Sequence, residues 1–219
     1  STQDPTTGGY VYFTSLRPQH YRVYSQVNQG MWCCVGTGME NHSKYGEFVY
    51  THVGSDSLFV NLFVASTLNN SKFGLEQQTK FPYEQQTVLN ITKSGKYVMA
   101  IRHPEWCTGD FNISINGVMV NVGSKPGTFA YINRSWNTGD VITVSLPMQL
   151  QLIPCPNYSN YVAFRYGPVL LAAKTGTDNL TGLFAGEGRM DHAASGAQLS
   201  LTSAPMLIGE RSSVLDSFY

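Results

Sequence analysis

Two cysteines stand side by side in the run Gly30-Met31-Trp32-Cys33-Cys34-Val35-Gly36. A disulfide between chain neighbours closes a small strained ring and implies a redox role, which nothing else in the sequence supports. Two thiolates on consecutive residues can instead share one soft or borderline cation, and Zn²⁺ at about 2.3 Å per sulfur suits them. Such a site needs two more ligands, and neither Cys107 nor Cys155 lies at a zinc-ribbon spacing. Directly after the pair, Thr37-Gly38-Met39-Glu40 fits the Ser/Thr-x-x-Glu capping box. Met39, Tyr45 and Phe48-Val49 then recur at helical spacing, which predicts a helix up to His52 with Gly54 ending it. Thiols just before a capped helix face free amides and a dipole that favour a thiolate. A nucleophilic cysteine, metal-held or not, follows from that physics. Two ordinary cysteines beside a buried tryptophan fit the same residues.

Other chemistry-bearing residues weigh less. Glu40 and Glu47 share a helical face, and paired carboxylates are the machinery of sugar hydrolysis. Glu40 is already engaged in the capping box, however, and Glu47 falls on a helix surface. His42 and His52 read as surface or packing groups. Cys107 and Cys155 either bridge two strands or stay separate thiols, and the second reading is favoured. Tyr10, Tyr12, Tyr21, Tyr24 and Trp32 cluster around the double cysteine, which suits a sugar site and a core cluster equally.

The elements that must position these residues are mostly strands. The 219 residues carry 14 basic and 14 acidic side chains, so the formal net charge is zero. There is no basic excess for a nucleic-acid backbone, and no apolar run approaches a membrane span. Only 13% of residues are charged while 42% are hydrophobic, too apolar for a disordered chain. Residues 10–16 and 20–27 read as short strands or extended segments. From Ser57 the period becomes two, predicting strands over 58–65, 73–79, 85–93, 96–103, 128–133, 142–152 and 161–173, with Pro147 at an edge or bulge. Asn116-Gly117 between Ile113-Ser114-Ile115 and Val118-Met119-Val120 is a strong hairpin signal. The pattern predicts an antiparallel β-sandwich. It weakens after Lys174, where only 205–208 looks strand-like.

The stretch from Met31 to Glu47, Met-Trp-Cys-Cys-Val-Gly-Thr-Gly-Met-Glu-Asn-His-Ser-Lys-Tyr-Gly-Glu, resembles the double-cysteine segment of the β-L-arabinofuranosidases of glycoside hydrolase family 127 and its relatives. Ile101-Arg102-His103-Pro104-Glu105-Trp106, Tyr166-Gly167-Pro168-Val169-Leu170-Leu171 and the opening Thr2-Gln3-Asp4-Pro5 with Tyr12-Phe13-Thr14-Ser15-Leu16 resemble the same family. These enzymes are common in gut bacteria that digest plant polysaccharides. The resemblance implies an (α/α)₆-barrel catalytic domain followed by β-sandwiches, and a retaining mechanism with a zinc-bound cysteine nucleophile and a glutamate acid/base. By motif, Cys33 matches the nucleophile and a zinc ligand, Cys34 the adjacent zinc ligand, and Tyr12 a substrate-contacting tyrosine.

The resemblance also implies a division of labour. In the family the acid/base glutamate and the remaining zinc ligands, a glutamate and a third cysteine, lie upstream of the double cysteine. The 32 residues before Cys33 hold no glutamate and no cysteine, and Asp4 is their sole carboxylate. The expectation is therefore a C-terminal part of a larger enzyme, inactive alone, whose partners are a carbohydrate substrate and the upstream remainder of its own chain. Residues 1–55 would end the barrel, 56–175 form the sandwich, and 176–219 begin a further β unit or pack on the sandwich. Zinc is expected in the full-length enzyme, and a periplasmic or extracellular location in the parent protein. The rival expectation is a non-catalytic carbohydrate-binding or interdomain sandwich with structural cysteines.

Overall fold

The computed structural model describes residues 3–11, 14–15, 17, 20–30, 32–174, 185–188, 190–191 and 200–217. The chain divides into two compact units, one from residues 1–45 and 173–219, the other from 46–172. Helix α1 spans Cys33–Val49. Strands β1 (Tyr50–Val53), β2 (Ser57–Val60), β3 (Ser66–Asn69), β4 (Gly74–Thr79), β5 (Gln86–Lys93), β6 (Gly95–His103) and β7 (Asn112–Ile115) follow. Then come β8 (Val118–Val120), β9 (Thr128–Trp136), β10 (Val141–Ser145), β11 (Leu150–Cys155), β12 (Tyr158–Tyr166) and β13 (Val169–Leu171).

The second unit is the expected β-sandwich. One sheet runs β1-β2-β6-β9 and the other β3-β4-β5-β10-β7-β8. Alternation along the strands supplies the core between them. Tyr97, Met99 and Ile101 of β6 and Ala130 and Ile132 of β9 face Leu75, Leu89, Ile91, Ile113, Ile142 and Val144 from the other sheet. The pairing is antiparallel except between β2 and β6, which run parallel with Ser57 opposite Val98 and Val60 opposite Ile101. A third antiparallel sheet, β11-β12-β13, follows.

Asn116-Gly117 does turn the β7–β8 hairpin, with φ values of 52° and 79°, as a two-residue primed turn requires. The asparagine does more. Its side-chain oxygen accepts from the Val141 amide at 2.8 Å, and its Nδ2 donates to Asp140 at 2.9 Å.

Buried Asp140 also accepts from the Asn137 amide at 2.9 Å and lies 3.8 Å from the Arg134 guanidinium. The Asn137 amide first, then Asn116 and Arg134, hold its carboxyl below the ordinary range against the opposing effect of desolvation. A depressed folded value stabilises the sandwich above the unfolded carboxylate value, and that stability is lost as pH falls through the folded one. In Asp140→Asn, either orientation of the amide sets a donor against a donor. The variant is expected to lose about 1–3 kcal/mol at neutral pH. Its thermal midpoint should fall less on acidification below about pH 4 than that of the parent. Midpoints recorded across the acid range check both effects.

Several expectations are corrected. α1 begins at Cys33, not after Thr37, and Thr37 lies inside it with its hydroxyl donating to the Cys33 carbonyl at 3.0 Å. A threonine one turn into a helix can bond backward in this way, so the capping-box pattern marks no terminus here. The helix stops at Val49. His52 belongs to β1, and Gly54 at φ 54° serves the turn into β2. The strand predicted over 58–65 ends at Val60, and the short β3 was not foreseen. The strand predicted over 142–152 is two strands in different sheets, parted around Pro147. The one predicted over 161–173 is a hairpin turned at Gly167, φ 56°.

In the first unit, residues 10–16 and 20–27 form no strand among the described residues. Gln3 bridges Tyr10, and Ser25 bridges Ala185. Residues 205–208 are irregular, and most of 175–199 lies outside the described residues.

Candidate functional site

The double cysteine opens the only α-helix among the described residues. The Trp32 carbonyl accepts from the Val35 and Gly36 amides at 3.0 and 3.3 Å, which closes the first turn. Cys33 and Cys34 are thus first-turn residues at the positive end of the helix, and that turn holds no acidic side chain. Both thiols are exposed. Their sulfurs stand 4.0 Å apart, far beyond a disulfide. Two Zn–S bonds of about 2.3 Å span such a separation at an S–Zn–S angle of about 120°, somewhat wider than tetrahedral. The pair therefore fits one shared metal ion.

The Cys34 thiol is held above its ordinary value, first by desolvation, then by its hydrogen bond with Cys33 and the charge of that neighbour. Charge on one sulfur disfavours charge on the other. A cation between them reverses that sign. Among the described residues no third His, Cys, Asp or Glu joins them in a metal-binding group.

Beside α1 the first unit builds a cleft of about 430 Å³, lined in part by Tyr10, Ser25, Gln26, Val35, Met39 and His42, with neither Cys33 nor Cys34 in its lining. Tyr10 ties the N-terminal segment to the helix. Its hydroxyl lies 3.1 Å from His42 Nε2. A Cβ at Gly38 would sit 2.5 Å from the Tyr10 ring, so glycine is what lets the ring lie on the helix. The Ser25 hydroxyl accepts from the Tyr10 amide at 2.9 Å, and the Ser25 amide donates to the Tyr10 carbonyl at 2.9 Å. The sequence reads His42 as a surface or packing group, and it is exposed on α1. Its partner is 32 residues away, and no local pattern announces the pair. Tyr12 lies outside the described residues.

Glu40 is exposed on α1. His52 Nδ1 lies 2.9 Å from the Gly54 carbonyl oxygen. Cys107 is buried and Cys155 exposed, and both are free thiols. Burial pushes the Cys107 thiol up to about 11, which keeps it protonated and inert. The Ile101–Trp106 stretch is a structural corner. His103 is buried at the end of β6, with its two ring nitrogens 2.9 Å from Ser124 Oγ and 2.8 Å from the Cys107 carbonyl oxygen, and Trp106 stacks on Phe81 at 5.6 Å.

Comparison with known proteins adds what geometry cannot. Residues 1–47 match the family of the β-L-arabinofuranosidase GH127 catalytic domain, and residues 57–148 the GH127 middle domain. Residues 151–218 match a domain of unknown function, DUF4986. No curated protein matches the chain significantly.

Among solved structures, a GH127 β-L-arabinofuranosidase from Geobacillus stearothermophilus T6 superposes with a TM-score of 0.62 at 24% identity, over 77% of this chain and 30% of that one. A GH127 β-arabinofuranosidase gives 0.64 at 24% identity, over 74% and 29%. A protein described as a glycoside hydrolase gives 0.60 at 24% identity, over 74% and 30%. The chain thus spans about 30% of the length of these structures. At this identity the likeness speaks for the fold.

Proposed function

From a chain that belongs to the GH127 family of β-L-arabinofuranosidases, we propose that residues 1–47 supply the nucleophile and half of the metal-binding donors of a retaining glycosidase. The observation that carries this reading is the pair of exposed sulfurs 4.0 Å apart on the first turn of α1, inside the segment matched to the catalytic domain. Cys33 and Cys34 would hold a zinc ion. When bound, zinc supplies the positive charge that keeps the sulfurs ionised at neutral pH.

Cys33 Sγ attacks the anomeric carbon of a β-L-arabinofuranoside as the bond to the leaving oxygen breaks. That oxygen takes a proton from an acid supplied by residues beyond this chain. Water, deprotonated by the same group, then displaces the sulfur. Two inversions give net retention. Cys34 would hold the shared cation beside its neighbour, and the Tyr10–His42 contact holds the helix that carries both.

The donor set is completed elsewhere in the enzyme, because two thiols alone leave a tetrahedral ion half-coordinated and no third donor joins them among the described residues. The 219-residue chain is accordingly expected to give no turnover of an aryl β-L-arabinofuranoside, and the longer enzyme carrying it to give turnover with retained configuration. Release of the aryl group, with proton NMR of the first-formed sugar, reads both. Turnover by the isolated chain sinks the shared-site reading, and an inert longer enzyme sinks the reaction itself.

A further inference from the structure

We propose that the outer face of the six-stranded sheet binds a neutral, arabinose-bearing polysaccharide chain in a groove above β3, β4 and β5. This rests on the glycosidase reading for the class of sugar, and on the sandwich alone for the site. The groove encloses about 660 Å³, within the range of small-ligand sites. Strand alternation builds its floor. Leu75 and Gln77 of β4 point into the core, so Glu76 and Gln78 point out, with Thr67 opposite Glu76 and Val88 opposite Gln78. The β4–β5 connection adds Lys80 and Glu84 to the wall.

The lining chemistry selects the ligand. Two carboxylates against one ammonium leave a net negative charge, which disfavours phosphates and acidic sugars. Val88 and Ala65 are the aliphatic side chains of the lining, too few to hold an apolar molecule. Carboxylates that accept, an ammonium that donates and glutamine amides that do both match a polyol, in which each hydroxyl donates and accepts.

These groups already bond one another. Gln78 Nε2 donates to Glu76 Oε1 at 2.9 Å, and Lys80 Nζ lies 3.1 Å from Glu84 Oε1. Each retains unused lone pairs or protons. Beneath them Gln77 is only 2% exposed, accepting from the Tyr50 hydroxyl at 2.9 Å and donating to Thr87 at 3.0 Å. That bonding fixes the floor and lowers the ordering cost of binding. Between Lys80 and Glu84, Tyr83 is 94% exposed. A large aromatic with no place in the core offers an apolar face to a sugar ring.

The test is native gel electrophoresis of the 219-residue chain in gels cast with neutral arabinogalactan, with polygalacturonate, or with no polysaccharide. Arabinogalactan is expected to retard the chain and polygalacturonate not. Tyr83→Ala is expected to weaken the apparent affinity several-fold to about tenfold. Gln78→Ala and Glu84→Gln, both at exposed positions, are expected to weaken it with an unchanged thermal midpoint. Cys33→Ser is expected to be retarded like the parent. No retardation by arabinogalactan, or retardation that survives both groove variants and Tyr83→Ala beside them, overturns the proposal. So does retardation lost in Cys33→Ser, which would place the sugar at the double cysteine. Hydrolysis by the longer enzyme without retardation of this chain defeats the groove alone. Retardation with an inert longer enzyme defeats the glycosidase reading alone.

Discussion

Cys33→Ser is expected to lower kcat on an aryl β-L-arabinofuranoside by about three orders of magnitude or more in the enzyme that carries this chain. The size follows from two losses at one atom. A hydroxyl is a poor ligand for a borderline-soft cation, so the charge that would ionise the nucleophile is no longer shared with it. A serine oxygen also ionises far above the range of a thiol, and the first turn of a helix cannot close that gap. Cys34→Ser separates the two losses. It leaves the attacking sulfur and removes one of two donors standing 4.0 Å apart, so its defect should appear first as a lower metal content. Excess zinc should restore part of the activity in Cys34→Ser and none in Cys33→Ser. Near-parental activity in Cys33→Ser would make the cysteines structural and the chain a non-catalytic sandwich module.

The second large effect is expected in the core. Trp136 ends β9, is 1% exposed, and donates from its indole nitrogen to the Tyr97 carbonyl at 3.2 Å. The Arg134 guanidinium lies over its ring at 5.2 Å. Trp136→Ala removes the ring, its hydrogen bond and the cation–π contact together and leaves a cavity. It is expected to cost about 3–5 kcal/mol, a large share of the 5–15 kcal/mol typical of a domain. Trp136→Phe keeps most of the packing and gives up the bond and part of the cation–π contact. About 1–2 kcal/mol is expected there. Urea unfolding followed by far-ultraviolet circular dichroism measures both, independently of the lost indole fluorescence. An unchanged slope for Trp136→Phe shows that the native fold persists.

What the sequence revealed follows from the range of the forces involved. Leu89 and Ile91, Met99 and Ile101, and Ile142 and Val144 announce their strands because an inward face needs apolar side chains at every second position. Asn116-Gly117 announces its hairpin because both residues take positive φ there. Thr37 and Glu40 misled because a capping box is a local pattern. Whether the threonine bonds forward to an amide or backward to the Cys33 carbonyl depends on where the helix begins. The continuous apolar alternation from Ile142 to Leu152 likewise hid a change of sheet near Pro147. Chain period does not record which neighbour a strand pairs with.

The candidate site divides in the same way. Adjacent cysteines are visible in one dimension, as two donors able to share a cation or as two ordinary thiols. The Tyr10–His42 contact and the seat for the Tyr10 ring at Gly38 arise only between residues distant in the chain, and the groove over β3, β4 and β5 appears only once the register of those strands is known.

The parallel pairing of β2 with β6 sets the order in which the sandwich can assemble. Antiparallel neighbours can be joined by a tight turn, but parallel ones need a long crossover, and here that crossover is the whole β3-β4-β5 meander of the opposite sheet. The meander is local in sequence and closes short loops. β2 and β6 must close a loop that contains it, at a greater cost in chain entropy. The two layers are therefore interlocked by the path of the backbone itself. Pairing of β2 with β6 is accordingly expected to follow formation of the meander.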